Sequence, residues 1–233
     1  MKFIFKGRRK VTAEELKKEL KKRDKDEHDY FFYCSFIIPH SIYRTGRFVM
    51  GYLYITGGSI RNRKIIGPQN QKTRPMQSFL RKTLFDLMPQ SLDNAIIWDI
   101  FAGSGVIGLE ALSRGARKVY FIEKDSKMAD IIQRNIQLCG FQEKSQILLV
   151  DYFELKRWVT KVEPAKFIFL DPPFPMNPVE VLEKMYNLYE LVKNSLIIIR
   201  FSKRPSAILE CPFYKVILQR IYGESVLMFG CFE

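Results

Sequence analysis

From residue 95 onward the hydrophobic pattern alternates between short apolar runs and longer amphipathic stretches. Short apolar runs bounded by turn residues are typical of buried parallel strands, whereas apolar positions about 3.6 residues apart are typical of helices that cover a sheet. Strands that alternate with helices indicate a parallel α/β sheet. The predicted strands are Ile96–Ile100, Lys118–Ile122, Ile147–Val150, Phe167–Leu170 and Leu196–Phe201.

Helical patterns separate these strands, and an antiparallel pattern follows them. Phe213–Ile221 and Ser225–Phe232 flank Gly223 and predict a hairpin. The predicted helices extend from the glycine turn to about Ser113, from about Ser126 to the residue before Gly140, over a short segment bearing Trp158, and from about Pro178 to Val192. The fold class is therefore α/β, with a Rossmann-like sheet that ends in an antiparallel hairpin.

The earlier part of the chain lacks this alternation. The sequence Thr12-Ala-Glu-Glu15 is a capping-box pattern and predicts a charged helix that ends near Asp24. Residues 30–56 are rich in aromatic and β-branched residues and predict short strands. A helix with Pro75 in its first turn is predicted from an apolar stripe of Met76, Phe79, Leu80, Leu84, Leu87 and Met88.

Positive charge is concentrated in that earlier part. Residues 1–95 hold 20 Lys/Arg and 9 Asp/Glu, a balance of +11, whereas residues 96–233 hold 18 and 16, a balance of +2. A basic region beside a near-neutral one favours a polyanionic partner such as nucleic acid, although a solvated basic face has the same composition. We divide the chain into a basic N-terminal extension (1–56), a basic loop and helix (57–94) and an α/β domain (95–233).

Other features of the composition exclude several classes of protein. The apolar runs are too short to span a bilayer, and the N-terminus lacks the apolar core of a secretory signal. The cysteines at positions 34, 139, 211 and 231 show neither metal-binding nor disulfide spacing. We therefore expect reduced thiols in a cytoplasmic protein with no membrane segment and no metal.

A glycine-rich motif follows the first strand of the predicted sheet. The stretch from Asp99 to Gly108, which includes Phe101, Gly103 and Gly105, contains G-x-G-x-x-G between a strand and a helix, the context in which this motif binds nucleotides. An NAD enzyme fits the same pattern. The Asp99 carboxylate, however, would repel a pyrophosphate and favour a cationic, methionine-like ligand.

Acidic residues end four of the predicted strands, namely Asp99, Glu123, Asp151 and Asp171. The carboxyl ends of parallel strands form the ligand-binding edge of an open α/β sheet. Glu123, 20 residues after Gly103, is placed to accept hydrogen bonds from a ribose diol, and Asp151 from an adenine amine. The set predicts a nucleoside site, although each acid alone also fits a helix cap.

The last of these acids opens the motif Asp171-Pro172-Pro173-Phe174. The two prolines end the strand and stiffen the turn that follows. The Asp171 carboxylate and the Pro172 carbonyl can accept hydrogen bonds from the exocyclic amine of a nucleobase, and Phe174 can stack on the base. A surface turn is the alternative, because Asp-Pro and Pro-Pro are common turn signals.

Five basic residues are candidates for contact with RNA. Arg61, Arg63 and Lys64 lie in a loop after two glycines, and loop cations suit phosphate groups, although solvated cations fit equally well. Arg74 and Arg81 lie off the apolar stripe of the predicted helix, so we expect them to contact ligand or RNA.

Together these motifs resemble a class I S-adenosylmethionine-dependent methyltransferase, and more closely the RsmD-type 16S ribosomal RNA guanine-N2 methyltransferases. The resemblance extends from about Ile55 to the C-terminus. It is carried by Gly57-Gly58, Arg61-Asn-Arg63-Lys64, Arg74-Pro75, Arg81 with Thr83-Leu-Phe85, Asp99 to Gly105, Gly108 to Ala116, Glu123, Asn135 and Asp171 to Phe174.

The resemblance implies S-adenosylmethionine as cofactor and a guanine of 16S rRNA as target, within the small ribosomal subunit or an assembly intermediate. It places the cofactor at Asp99, Phe101, Gly103, Gly105, Glu123 and Asp151, and the target amine at Asp171, Pro172, Pro173 and Phe174. The alternatives are an amine methyltransferase acting on adenine in RNA or DNA, an NAD-dependent oxidoreductase, and a non-catalytic ribosome-assembly binder.

Overall fold

The computed structural model describes residues 3–6, 9–12, 51–68, 76–88, 91–203 and 211–233. The predicted charged helix, the predicted strands before residue 51 and the candidate Arg74 lie outside the described residues. Two small antiparallel pairs precede the main sheet. They are formed by β1 (Phe3–Lys6) with β2 (Arg9–Thr12), and by β3 (Tyr52–Tyr54) with β4 (Lys64–Ile66). The sequence patterns had not indicated the first pair.

A seven-stranded sheet forms the centre of the described structure. Five strands are parallel, and the last two form an antiparallel hairpin against the fifth. Their bounds are β5 (Ile96–Ile100), β6 (Lys118–Glu123), β7 (Ser145–Leu149), β8 (Phe167–Leu170), β9 (Leu196–Ser202), β10 (Tyr214–Tyr222) and β11 (Ser225–Phe232). The order across the sheet is β10-β11-β9-β8-β5-β6-β7, which confirms the predicted α/β class.

The helices fill the positions that the amphipathic pattern predicts, with one difference. They are α1 (Ser78–Leu87), α2 (Val106–Ser113), α3 (Ser126–Cys139), α4 (Leu155–Trp158), α5 (Pro178–Tyr186) and α6 (Tyr189–Val192). The single helix predicted from Pro178 to Val192 is therefore two, because the chain leaves the helical conformation at Leu188, whose φ is −103° and ψ 23°.

The sheet is buried on both faces, which explains why its strands are almost continuously apolar. Alternate residues of each strand point to opposite faces. In β5, Ile97 packs into the cluster that includes α1, α2 and α3, whereas Trp98 packs into the cluster that includes α5 and Trp158 of α4. Within the predicted stripe of α1, Phe79 differs from its neighbours, because its side chain is 52% exposed.

The β3–β4 hairpin is held to the main sheet by buried polar contacts. The carboxylate of Glu110, on α2, accepts hydrogen bonds from the backbone and the hydroxyl of Thr56, each at 2.7 Å. It also pairs with Arg114 at 2.9 Å and lies 3.8 Å from the guanidinium of Arg81. Glu110 and Arg81 are both fully buried. The Arg81 charge therefore depends on Glu110 for compensation, whereas Glu110 is also paired with Arg114.

A second anchor joins the same hairpin to α3. Asn135 accepts from the backbone N–H of Ile66 and donates to the carbonyl of Ile66, both at 2.8 Å. The same side-chain amide donates to the carbonyl of Ser104 at 3.0 Å. One buried side chain therefore joins β4 to the turn between β5 and α2.

The Glu110→Gln variant should lose about 3 kcal/mol of unfolding free energy, because it leaves the buried Arg81 charge without its carboxylate. Urea unfolding measures the loss. Glu163→Gln is the matched control: Glu163 also pairs with two cations, Arg117 and Lys118, but its side chain is 42% exposed. The control should lose less than about 1 kcal/mol, and equal losses would contradict the role given to burial.

Candidate active site

A cavity of about 440 Å³ opens at the carboxyl ends of the central strands. The chain crosses from β5 to β6 on one side and later to β8 on the other, so the connections diverge between β5 and β8. Such a divergence leaves a crevice in an open parallel sheet, and ligands bind there. The lining includes residues that follow β5, β6, β7 and β8, together with Pro68 and Met76 from the segment after β4.

The turn after β5 forms one wall of this cavity. Phe101 and Gly103 line it, and both have left-handed backbone, with φ of 60° and 55°. Gly103 has open space at its Cβ position, so a ligand can approach the backbone there. Phe101 packs on Tyr152, with ring centroids 5.0 Å apart, which adds an aromatic surface to the lining.

Gly105 is a glycine for a different reason. It precedes α2 with a φ of 75°, and an added Cβ would lie 3.2 Å from both Phe121 and Ile132. The Cβ position of Gly105 therefore points into the protein interior, and Gly105 does not line the cavity. This packing requires a glycine at position 105, and the ligand contact predicted for Gly105 stays a prediction.

Asp99 does not line the cavity, and the ligand contact predicted for it stays a prediction. Its side chain is fully buried, and its Oδ2 accepts from the backbone N–H of Gly108 at 2.8 Å. Burial raises the pKa of Asp99 well above its usual range, and the nearby carboxylates of Asp171 and Glu123 raise it further. Asp99 therefore holds the start of α2 from below the cavity.

Glu123 stands at the rim of the cavity, at the end of β6. One carboxylate oxygen accepts from the backbone N–H of Gly103 at 2.7 Å, and the other accepts from Lys124 and Asp125 at 2.9 Å. These bonds fix the carboxylate between the glycine turn and α3. Such a fixed acceptor suits a diol.

Asp151 lies beyond the end of β7 and outside the cavity lining. Its carboxylate accepts from the backbone N–H of Phe153 at 3.0 Å and from Lys124 at 3.3 Å. Its neighbours Val150 and Tyr152 do line the cavity. The adenine contact predicted for Asp151 stays a prediction.

The Asp171–Phe174 motif forms the opposite wall, and all four of its residues line the cavity. Asp171 and Phe174 are half-buried, whereas Pro173 is exposed. The Pro173 carbonyl accepts from the N–H of Met176 at 2.9 Å and is thus used within the turn. No described residue donates to the carbonyl of Pro172 or to Oδ2 of Asp171, so both acceptors remain available at the wall.

The sequence analysis did not single out Arg200, which contacts this motif. Arg200 lies on β9, and its Nε donates to Oδ1 of Asp171 at 2.5 Å. Its guanidinium carbon lies 5.0 Å from the centroid of the Phe174 ring. The sequence feature that could have indicated Arg200 is its position as a lone cation within an otherwise apolar predicted strand.

The candidate RNA contacts separate into two groups in the structure. Arg61, Arg63 and Lys64 are exposed at and after the turn of the β3–β4 hairpin. The structure contradicts the assignment of Arg81, whose side chain is fully buried. Arg81 donates instead to the carbonyls of Tyr54 and Met76, at 2.6 and 2.8 Å.

Two exposed tyrosines lie beside these cations and were not predicted as site residues. Tyr52 and Tyr54 occupy alternate positions of β3, and their side chains are about half exposed, whereas Leu53 between them packs toward the core. The ammonium of Lys64 lies 3.5 Å from the centroid of the Tyr52 ring. We refer to Tyr52, Tyr54, Arg61, Arg63 and Lys64 as the hairpin surface.

Among the described residues, no group of His, Cys, Asp and Glu is arranged to hold a metal ion. No described helix has the length and apolar character needed to cross a membrane.

Comparison with known proteins agrees with the geometry. A family model described as Conserved hypothetical protein 95 matches residues 53–231. The chain is 32% identical over 160 residues to Ribosomal RNA small subunit methyltransferase D of Buchnera aphidicola subsp. Acyrthosiphon pisum, covering 67% of this chain and 81% of that one. It is 33% identical over 140 residues to the protein of the same name from Escherichia coli K12, covering 60% and 68%.

Solved structures show the same relationship. The methyltransferase yhhF of Escherichia coli superposes with a TM-score of 0.66 at 27% identity, over 78% of this chain and 99% of that chain. The methylase HI0767 of Haemophilus influenzae superposes with a TM-score of 0.59 at 27% identity, over 78% and 100%. This chain therefore belongs to the RsmD-type family of class I methyltransferases.

Proposed function

We propose that this protein transfers a methyl group from S-adenosylmethionine to the N2 amine of a guanine in 16S ribosomal RNA, within the small subunit or an assembly intermediate. The observation that carries the proposal is the pair of available acceptors at the cavity wall, Asp171 Oδ2 and the Pro172 carbonyl. The RNA substrate is supported by relatives named Ribosomal RNA small subunit methyltransferase D.

The cavity suits S-adenosylmethionine by its size, shape and charge. Its volume of about 440 Å³ falls in the range of small-molecule sites. The open backbone at Gly103 would receive the methionine part, Glu123 the ribose, and the region of Asp151 the adenine. When bound, the cofactor supplies an electrophilic methyl group on a positively charged sulfur. The carboxylate of Glu123 at the lining favours that charge.

The residues of the Asp171–Phe174 motif would prepare the amine for reaction. An exocyclic amine is a poor nucleophile because its lone pair is delocalised into the ring. Hydrogen bonds from its two N–H groups to Asp171 Oδ2 and the Pro172 carbonyl would fix the direction of that lone pair. Phe174 would stack on the base and set its plane. Positioning of this kind supplies much of the rate, and the surplus proton leaves to water afterwards.

The hairpin surface would hold RNA next to this cavity. Its cations suit phosphate groups, and its two tyrosine rings suit unstacked bases. Pro68, two residues beyond β4, lines the cavity, so the end of β4 adjoins it. The turn before Arg61 bonds instead to Ser113, the last residue of α2, which does not line the cavity. A base must leave its stack to reach the cavity, so single-stranded or distorted RNA is the expected binding form.

The reaction itself is tested with labelled S-adenosylmethionine and unmodified 16S rRNA, free and in small subunits, followed by digestion to nucleosides. Label in N2-methylguanosine is the expected result. Label in a methyladenine would keep the mechanism of amine methylation and overturn the choice of base. Bound cofactor without any transfer of label would contradict the assignment of 16S rRNA as substrate.

Changing Asp171 should separate catalysis from cofactor binding. Asp171→Asn keeps the volume of the side chain but weakens its oxygen as an acceptor, so kcat should fall at least ~100-fold. The Kd for S-adenosylmethionine, measured by calorimetry, should change less than about threefold. Asp130→Ala, an exposed acid on α3, is the control and should leave both values unchanged. Equal loss of binding and turnover at Asp171 would indicate a structural residue.

The hairpin surface predicts a change in the salt dependence of RNA binding. If Arg61 and Arg63 each contact one phosphate of a single strand, changing both to Ala should reduce the slope of log K against log salt by about 1.4. Filter binding over a range of potassium chloride measures the slope. The control is Arg157→Ala, an exposed cation on α4. An unchanged slope in the double variant would remove the turn from the RNA interface.

A further inference from the structure

Arg200 is brought to Asp171 by the register of two parallel strands. Strand β9 pairs with β8 so that Ile199 lies beside Leu170. The next residues are Arg200, still within β9, and Asp171, the first residue after β8. Neighbours in register point to the same face of a sheet. The strands themselves therefore place this cation beside the acceptor, and no flexible loop intervenes.

The side chain of Arg200 contacts two parts of the motif at once. Its Nε is bonded to Oδ1 of Asp171, and its guanidinium lies against the ring of Phe174. The Arg200 side chain is only 11% exposed and that of Asp171 only 14%. A charged hydrogen bond shielded in this way is stronger and more directional than one at the surface.

The arrangement leaves the second oxygen of Asp171 for substrate. Oδ1 is occupied by Arg200, whereas Oδ2 has no partner among the residues that the structure describes. With one oxygen tethered, the carboxylate plane is fixed and Oδ2 is presented at the cavity lining. An untethered carboxylate would rotate, and each oxygen would face the amine for only part of the time.

The surroundings of Asp171 oppose its charged form, except for Arg200. Burial raises the pKa of Asp171, and the guanidinium of Arg200 opposes that rise by charge and by hydrogen bonding. Among the described residues, Asp171 also interacts with Asp99 on β5, whose pKa is raised further by Glu123. Without Arg200, the described groups near Asp171 would all be acidic.

We propose that Arg200 is a positioning residue for the proposed methyl transfer, holding Asp171 by Oδ1 so that Oδ2 accepts the target amine, and steadying the Phe174 ring on which the base stacks. The inference rests on the proposed function and adds to it a residue that need not touch the cofactor or the reacting nitrogen. A protonated Asp171 could not serve as an acceptor through both oxygens, so the cation also preserves the state that the reaction needs.

The test compares Arg200→Met, Arg200→Gln and Arg200→Lys with the wild type. Because Arg200 favours the charged carboxylate, its loss should raise the pKa of Asp171. Activity depends on the carboxylate, so it falls as the pH drops through that pKa. The acid limb of the kcat profile should therefore move upward, by about 1–3 pH units in the Met and Gln variants, the shift that a neighbouring opposite charge typically produces. The Arg200→Lys variant keeps a positive charge, so its shift should be smaller.

A second readout does not depend on turnover. Carbon-13 NMR of aspartate carboxyls follows the titration of Asp171 in the free protein, and its signal is assigned by its absence in Asp171→Asn. The same upward shift is expected there. The Kd for S-adenosylmethionine should change little. The melting temperature at neutral pH should fall in the Met and Gln variants, because a pKa of Asp171 raised only in the folded state lowers stability, and it should fall less in the Lys variant. Arg117→Met is the control, because it removes an exposed ion pair with Glu163, and it should alter neither titration.

The outcomes distinguish this inference from the proposed function. If the wild type fails to methylate RNA, the proposed function fails, and the NMR titration alone decides whether Arg200 controls Asp171. If the wild type is active and neither titration moves in the Met and Gln variants, the inference is overturned. The inference is also overturned if all three Arg200 variants, including Arg200→Lys, lose stability in parallel with activity. That result would indicate a purely structural residue.

Discussion

The pairing of β8 with β5 is the constraint on which the candidate site depends. Hydrogen bonding in register from Ile97–Phe167 to Ile100–Leu170 fixes where the two strands end, and therefore where the glycine turn and the Asp171–Phe174 motif face each other. The chain leaves β5 toward β6 and reaches β8 only later, so no crossover covers the gap between them. The cavity results from the topology, and its chemistry comes from the residues that end each strand.

The acidic residues at this site are stabilised in different ways. Three carboxylates, those of Asp99, Glu123 and Asp171, are close enough to influence one another. Asp99 is buried and tends toward the neutral form, Glu123 is satisfied by backbone N–H groups, and Asp171 is paired with Arg200. Acidic residues around the cavity favour a cationic ligand, which is the opposite of the preference of a phosphate-binding loop.

Much of this could be predicted from sequence because it depends on local patterns. The apolar runs located every strand of the main sheet to within about two residues, and the Asp-Pro-Pro-Phe motif located one wall of the cavity. Arg81 was misjudged because local spacing does not reveal burial, and this residue is covered by the β3–β4 hairpin. The burial of Asp99 could not be predicted for the same reason. Arg200 was missed because its partner is 29 residues away and meets it only through strand register.

Asn135 has a mechanical consequence for how the two ligands bind. Its hydrogen bonds hold Ile66 of the hairpin and Ser104 of the glycine turn through a single rigid amide. Motion of one segment relative to the other would break at least one of these buried bonds, so the two segments tend to move as one body. Ordering of the turn by a cofactor would then lower the entropic cost of ordering the hairpin against RNA. Linkage requires the reverse effect to be equal in free energy, so each ligand would increase affinity for the other by the same factor.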